Sequence, residues 1–367
     1  MQRNVRIKKL DDFKWIAALL VVANHTSPLE SVNQTADFLL TRVFARVAVP
    51  FFFMVTGYFV LYGAMQEKDG MKRIAAALKR TGLLYLAVTL LYLPVQLYKM
   101  LKEPLSSAEW AGQMLKAVFF DGTYYHLWYL PAAMIGLMLS YLLLRYTGRA
   151  ALTVSMVLYA IGLLGDSYYG LAEKLPVLKG MYEGMFHVFT YTRNGLFLAP
   201  VFLILGYGLA VKKQEEILPG EEREAKRALR NGIVCLIFMC AEALLLSGYQ
   251  IQRHDSMYLI LPVLCGYLFW YLLLDKKQTA DEKRGLREKR ERKRRSDSFY
   301  IKGPMLLYFL HPFVILVVRG FVKITKWNFL LTVSPVYFLT VLFGSLCAVW
   351  LCLWLQQRIQ GYIKRRN

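Results

Sequence analysis

A run of roughly 20 apolar residues is the length of helix that crosses a hydrocarbon core about 30 Å thick, and this chain repeats such runs from one end to the other. About ten spans are predicted by that criterion, near residues 13–30, 42–64, 81–101, 126–145, 149–168, 195–212, 231–249, 257–274, 303–322 and 334–356. In lipid every backbone N–H and C=O must be satisfied within the protein, which leaves helices or a closed barrel. Runs this long and continuous suit helices. The expected fold class is all-α, a polytopic integral membrane helix bundle, and residues 1–367 read as a single integral domain. A soluble domain has no use for 56% hydrophobic residues at a length of 367.

Orientation follows from the cations, because cytoplasmic loops collect Lys and Arg. With Arg3, Arg6, Lys8 and Lys9 placed inside, the inner loops also take Lys68–Arg80, Arg145 and Arg149, Lys212–Arg230, the dense run from Lys276 to Lys302, and the tail from Arg358 to Arg366. Only scattered cations such as Lys102, Lys116 and Arg253 remain outside. Both termini are therefore expected in the cytoplasm. The net charge of +21 reads as topology and as attraction to anionic membrane lipid. Nucleic acid is excluded as a partner, since no aromatic residues interleave with the Lys283–Arg295 cations to stack bases. The charged stretch at about 275–302 is read as a cytoplasmic loop. Met71–Arg80 (MKRIAAALKR) is read as a short amphipathic helix on the inner membrane face. The first apolar segment runs past the length of a signal peptide and is expected to be retained. Cys235, Cys240, Cys265, Cys347 and Cys352 have neither metal-site nor redox spacing and are expected as small core residues.

Ionisable groups at membrane depth are costly, so each one inside a span is a functional candidate. His25 lies in the first span, and Lys14 precedes it by 11 residues, close to whole helical turns and about 16 Å along the axis. Arg42 and Arg46 open the second span; His126 and Trp128 open the fourth; Arg193 and Asn194 precede the sixth; Tyr308 and His311 sit in the ninth, before Pro312. Each also has an ordinary reading. An isolated membrane His can bond a neighbouring helix, an interfacial His can join an aromatic belt, and Arg can snorkel to lipid phosphate. Trp110, Phe119, Phe120, Tyr124, Tyr125, Phe186, Phe189 and Tyr191 read as such a belt. Prolines 50, 131 and 312 are expected to break their helices or free carbonyls. If the helices bundle, the polar residues would converge on one cavity in the outer half of the membrane. No Walker A loop, GxGxxG, HExxH or GxSxG is present, and no metal site or cofactor is expected. Asp166, Glu242 and Asp255 stand as isolated acids near the outer side.

Residues 10–25 (LDDFKWIAALLVVANH) resemble the opening signature of the membrane acyltransferase type 3 family, in which Arg, or sometimes Lys, precedes a His by 11 positions. The likeness continues through residues 49–59 (VPFFFMVTGYF, with Thr56 where many relatives have Ser), 126–130 (HLWYL) and 307–312 (LYFLHP). Within that family, residues 41–53 (TRVFARVAVPFFF) and 191–195 (YTRNG) resemble the membrane half of VanT-type serine/alanine racemases. The chain ends at Asn367, just after the tenth span, so the pyridoxal-phosphate racemase domain of those proteins is not expected. The resemblance implies O-acylation at the cell envelope, such as O-acetylation. An acyl-CoA-type donor inside would supply a hydroxyl of an extracytoplasmic glycan or lipid-linked acceptor, with no cofactor. His25 would be the catalytic base or would carry a transient acyl group, and Lys14 would hold donor phosphates. Arg46, His126, Arg193, Tyr308 and His311 would orient the acceptor or stabilise the oxyanion. The alternative implied by the same likeness is an uptake module for a small amino acid such as serine. The setting expected for either is the plasma membrane of a bacterium.

Overall fold

We describe a computed structural model covering residues 7–102, 106–215, 221–274 and 294–366, with side chains from 299 to 360 in the last stretch. All regular structure among these residues is helical. In chain order the longer helices are α1 (Lys8–Thr26), α2 (Gln34–Gln66), α3 (Gly70–Lys102), α4 (Ser107–Lys116), α5 (Tyr129–Thr147), α6 (Ala151–Leu164), α7 (Pro176–Val188), α8 (Ala199–Glu215), α9 (Glu221–Gly248), α10 (Leu261–Leu273), α11 (Arg294–Thr325) and α12 (Ser334–Arg366). Six helical stretches are long and apolar enough to cross a membrane: α2, α3, the α5–α6 run, α9, and the segments Phe299–Thr325 of α11 and Ser334–Gln360 of α12. Arg3, Arg6 and residues 275–293 of the charged loop lie outside the described residues, while residues 294–302 form the start of α11.

Two sequence expectations are corrected here. Met71–Arg80 is not a separate surface helix. It forms the first turns of α3, which runs unbroken for 33 residues, about 50 Å at 1.5 Å per residue. A helix that long outreaches a core about 30 Å thick, so its cationic start is an extension of the span. None of the three prolines breaks its helix, although the other outcome expected, a freed carbonyl, holds at Pro312. Pro131 falls in the first turn of α5, where its missing N–H is not needed. Pro312 sits inside α11 and leaves the Tyr308 carbonyl without its helical donor. Pro50 lies within α2, which absorbs irregularity as a 3₁₀ turn at Phe44–Val47 and π turns at Leu39–Val43 and Gly57–Leu61. π turns frequently mark functional positions.

The chain forms two compact units, Met1–Ala48 with Leu272–Asn367, and Val49–Tyr271. In the first, α1 packs on α11 and α12 around Ala18, Val22, Leu307, Ile315, Tyr337, Val341 and Val349. Trp15 anchors this seam. Its Nε1 donates to the Tyr300 carbonyl at 3.1 Å, its ring stacks on Phe299 at 5.2 Å, and Gly303 leaves the room it fills. The far end of α1 stops with Ser27 in the left-handed region (φ 45°), its N–H closing on the Ala23 carbonyl. Beyond it, Ser31 and Ser334 each donate a backbone N–H to the other's hydroxyl, at 2.9 and 3.0 Å.

In the second unit, α8 packs against α5, α6 and the later part of α2. Small residues set these approaches, as expected where packing rather than a hydrophobic drive joins helices in lipid. A Cβ on Gly57 would lie 2.0 Å from the Leu203 carbonyl oxygen, and one on Gly206 would lie 2.2 Å from the Met54 carbonyl oxygen. Backbone touches backbone at both points. The cysteine expectation holds only in part. Cys265 is buried, but Cys347 and Cys352 are exposed on α12, where a thiol serves as a small apolar group against lipid as well as it would in a core.

Candidate active site

His25 lies one residue before the end of α1, and the same unbroken helix carries Lys14. The 11-residue offset therefore keeps its helical geometry, about 16 Å along the axis. Opposite His25 on α11 stands His311, with ring centroids 5.3 Å apart and planes 23° from parallel. His25 is half-buried, whereas His311 is fully buried. The His311 Nδ1 lies 3.0 Å from the Leu307 carbonyl oxygen. A carbonyl can only accept, so Nδ1 carries the proton and donates, and in the neutral ring Nε2 is left as the basic nitrogen. Tyr308 stands beside this ring at 6.3 Å between centroids. Two imidazoles and a phenol from two helices thus share one place in the first unit, although the sequence holds them 286 positions apart.

Lys14 is held by a second residue that sequence reasoning passed over. Its Nζ donates to Asp11 Oδ1 at 2.9 Å, one turn earlier on α1, and neither side chain is more than about a quarter exposed. The pairing was legible in the i, i+3 spacing of Asp11 and Lys14. A cation neutralised in this way attracts a distant anion less than a lone one would. Arg46 is half-buried and belongs to the 3₁₀ turn of α2, while Arg42 is exposed.

The remaining predicted residues lie in the second unit. His126 is buried, but not in a lipid-facing belt: Tyr92, Tyr124 and Tyr125 meet its ring edge-on at 5.2, 5.6 and 5.5 Å. Tyr92 and Tyr124 stack on each other at 4.5 Å. The belt reading therefore fails for Tyr124, which is an inward packing residue with 6% of its surface exposed. Gly122 (φ 83°) makes the turn that delivers these rings, and any Cβ there would strike the Trp128 backbone. Arg193 lies over the Tyr191 ring at 4.1 Å and the Trp128 ring at 5.3 Å, and donates to the Ser256 hydroxyl at 3.0 Å. A guanidinium braced on two aromatic faces keeps its orientation.

Asp166 and its partners are the largest feature the sequence reading left unassembled. The carboxylate is fully buried, and Oδ1 accepts from the backbone N–H of Ser256 and Met257 and from the Ser167 hydroxyl, at 2.7, 3.0 and 3.1 Å. It staples the 251–258 segment, whose Arg253 lies over the Phe186 ring at 3.3 Å and whose His254 packs on Tyr191 at 4.5 Å. Burial pulls the Arg253 pKa below its ordinary value, against favourable interactions with Tyr169, Tyr191 and Asp166. Glu242 works similarly, accepting from the Leu259 and Ile260 N–H groups and from the Tyr168 hydroxyl. The polar runs 165–167 (GDS) and 251–256 (IQRHDS) at the edges of apolar stretches were the available signal. No group of three or more His, Cys, Asp or Glu among the described residues is placed to hold a metal ion.

A family model described as an acyltransferase domain, type 3, matches residues 7–354. The chain belongs to the membrane acyltransferase type 3 family. Its α-helical spans and its family together make it a membrane protein. An amino-acid racemase of Enterococcus faecalis is 40% identical over 276 residues, covering 74% of this chain and 37% of its own length. A second amino-acid racemase of that organism is 35% identical over 370 residues, 97% of this chain and 47% of its own. A serine/alanine racemase of Enterococcus gallinarum is 36% identical over 269 residues, 72% of this chain and 37% of its own. The chain spans less than half the length of these curated relatives. No solved structure matches it.

Proposed function

We propose that this acyltransferase is a multi-pass protein of a bacterial plasma membrane, with about ten spans and both termini in the cytoplasm. It would move an acetyl group from a cytoplasmic acyl-CoA-type donor to a hydroxyl of an extracytoplasmic glycan or other cell-envelope acceptor. The observation that supports this reading best is the stack of His25 on His311 inside a family whose chemistry is acyl transfer. His25 takes the proton of the acceptor hydroxyl, the hydroxyl oxygen bonds to the thioester carbonyl carbon, the carbon–sulfur bond breaks, and the imidazolium returns the proton to the leaving thiolate. His311, its tautomer set by the Leu307 carbonyl, holds the His25 ring in place and, with Tyr308, faces the charge that develops. Lys14 engages the donor's phosphates, modulated by Asp11; Arg46, His126 and Arg193 orient the acceptor or stabilise the oxyanion.

The relatives' printed names favour one rival reading: a membrane module that imports serine for a racemase partner. A single experiment separates the two. Wild type, His25→Ala and His311→Gln are expressed in a strain lacking envelope acylation, and acetyl esters on envelope glycans are measured beside uptake of labelled serine. Loss of a general base costs about 10²–10⁴ in rate, so His25→Ala should abolish ester formation within detection. Serine uptake that depends on His25, with glycans unchanged by wild type, would overturn the acyl-transfer reading.

A further inference from the structure

A cavity of about 230 Å³ opens between the last turn of α8, the early turns of α9 and α10. It is lined by Lys212, Glu224, Arg227, Asn231, Tyr267 and Trp270, none of which has a role in the acyl-transfer reading. Three features of the lining point the same way. First, Lys212 and Arg227 outnumber the single carboxylate, and Glu224 holds Arg227 only loosely, at 3.7 Å with both side chains partly exposed. Exposed pairs of that kind yield readily to a better anion. Second, Lys212 Nζ lies 4.6 Å from the centroid of the Trp270 ring, and both residues line the cavity, so ammonium and indole stand together there. Third, the Trp270 Nε1 is buried without a hydrogen-bond partner, on a residue 5% exposed. Indole nitrogen only donates, and a buried donor is costly until an acceptor reaches it. The Lys213–Glu221 ion pair at 2.7 Å ties α8 to α9 beside the cavity.

Ammonium, guanidinium and indole N–H together ask for a compact ligand with several acceptor oxygens and at least one full negative charge. The volume falls below the roughly 300–1,000 Å³ of sites for drug-sized ligands, which suits a phosphate ester with one adjoining group rather than a whole coenzyme. We propose that this cavity is a phosphate-ester site in which Lys212, Arg227 and the Trp270 indole donate to the phosphate oxygens. Two sources carry that chemistry, the nucleotide end of a soluble donor and the headgroup of an anionic lipid. The site does not depend on the acyl-transfer reading, and its test needs no turnover.

The full chain in neutral maltoside detergent is titrated calorimetrically with adenosine 3′,5′-bisphosphate. In parallel, phosphatidylglycerol and phosphatidylcholine retained from nanodiscs are compared by native mass spectrometry. At least one of the bisphosphate and phosphatidylglycerol should bind saturably. Lys212→Gln with Arg227→Gln should weaken it tenfold or more, about 1.4 kcal/mol. Trp270→Phe, which keeps a ring and deletes the donor, should weaken it several-fold, and Lys179→Gln, away from the cavity, should change nothing. Both cations are surface residues, so the paired variant is expected to fold, with gel filtration as the check. Bisphosphate binding identifies a soluble nucleotide source; selective phosphatidylglycerol retention identifies a lipid source. Absence of saturable binding by both, or binding that survives Lys212→Gln with Arg227→Gln unchanged, overturns the proposal.

Discussion

Replacing Gly57 by Ala adds one methyl group where the later part of α2 meets α8 backbone to backbone. The new Cβ would sit 2.0 Å from the Leu203 carbonyl oxygen, and ordinary contact begins at 3.4 Å, so the two helices must part by about 1.4 Å. No rotamer change relieves this, because the opposing atom belongs to the main chain. Overpacking of this kind costs about 1–3 kcal/mol. Gly206→Ala meets the Met54 carbonyl at 2.2 Å across the same crossing and needs nearly the same separation. Once either methyl has forced the helices apart, the other is largely accommodated. The double variant should therefore cost less than the sum, with a coupling of about 1 kcal/mol. Gly208→Ala is the internal control on α8: nothing lies within 4 Å of its Cβ, so it should be neutral or mildly stabilising through helix propensity. Reversible unfolding in mixed detergent–SDS micelles, followed by limited proteolysis, measures all four. A neutral Gly57→Ala, or strict additivity with Gly206→Ala, would refute the backbone-contact argument.

Further outcomes are expected elsewhere. Asp166→Ala strips the acceptor from the Ser256 and Met257 N–H groups, and at about 1–3 kcal/mol per orphaned donor it should lower the unfolding midpoint far more than Asp166→Asn, which keeps a carbonyl oxygen; equal effects would contradict the staple. Arg193→Lys forfeits the stacking on Tyr191 and Trp128; under the acceptor-orienting role proposed for it, and with cation–π contacts worth about 0.5–2 kcal/mol, acceptor KM should rise severalfold with little change in kcat, measured with purified enzyme. The Ser106 hydroxyl and N–H hold the Glu109 carboxyl below its ordinary pKa. Their stabilisation of the start of α4 is complete above the ordinary carboxylate value and disappears as pH falls through the lowered one, so the protection factors of amides 107–110, with the intrinsic pH dependence of exchange divided out, should fall in acid for wild type and fall less for Ser106→Ala.

Helix positions were legible because lipid leaves a chain so few options: long apolar runs fall inside α2, α3, α9, α11 and α12, but the first four of these helices begin 8–11 residues before the predicted spans and α12 ends 10 residues after its own. What apolar length could not show was where polar chain continues a helix beyond the lipid. Met71–Arg80 looked amphipathic in isolation, yet the backbone runs straight into α3. Local pairings were also within reach, as Asp11 and Lys14 show, since one helical turn separates them. Contacts across long separations were not. Nothing in the sequence pairs His25 with His311, or Asp166 with Ser256, because those meetings depend on how helices fold back on one another. Nor did aromatic content alone distinguish an exposed Tyr125 from a buried Tyr124.

The unit holding His25 is assembled from the first 48 residues and the closing stretch from Leu272. A ribosome working at about 5–20 residues per second needs roughly 15–60 s to reach His311 after His25 has emerged. Throughout that interval the N-terminal imidazole waits in the bilayer without its eventual neighbour. Nascent chains stalled anywhere before α11 should therefore lean on insertase or chaperone factors, and stop codons placed anywhere before α11 should be as damaging as ones placed just after α1.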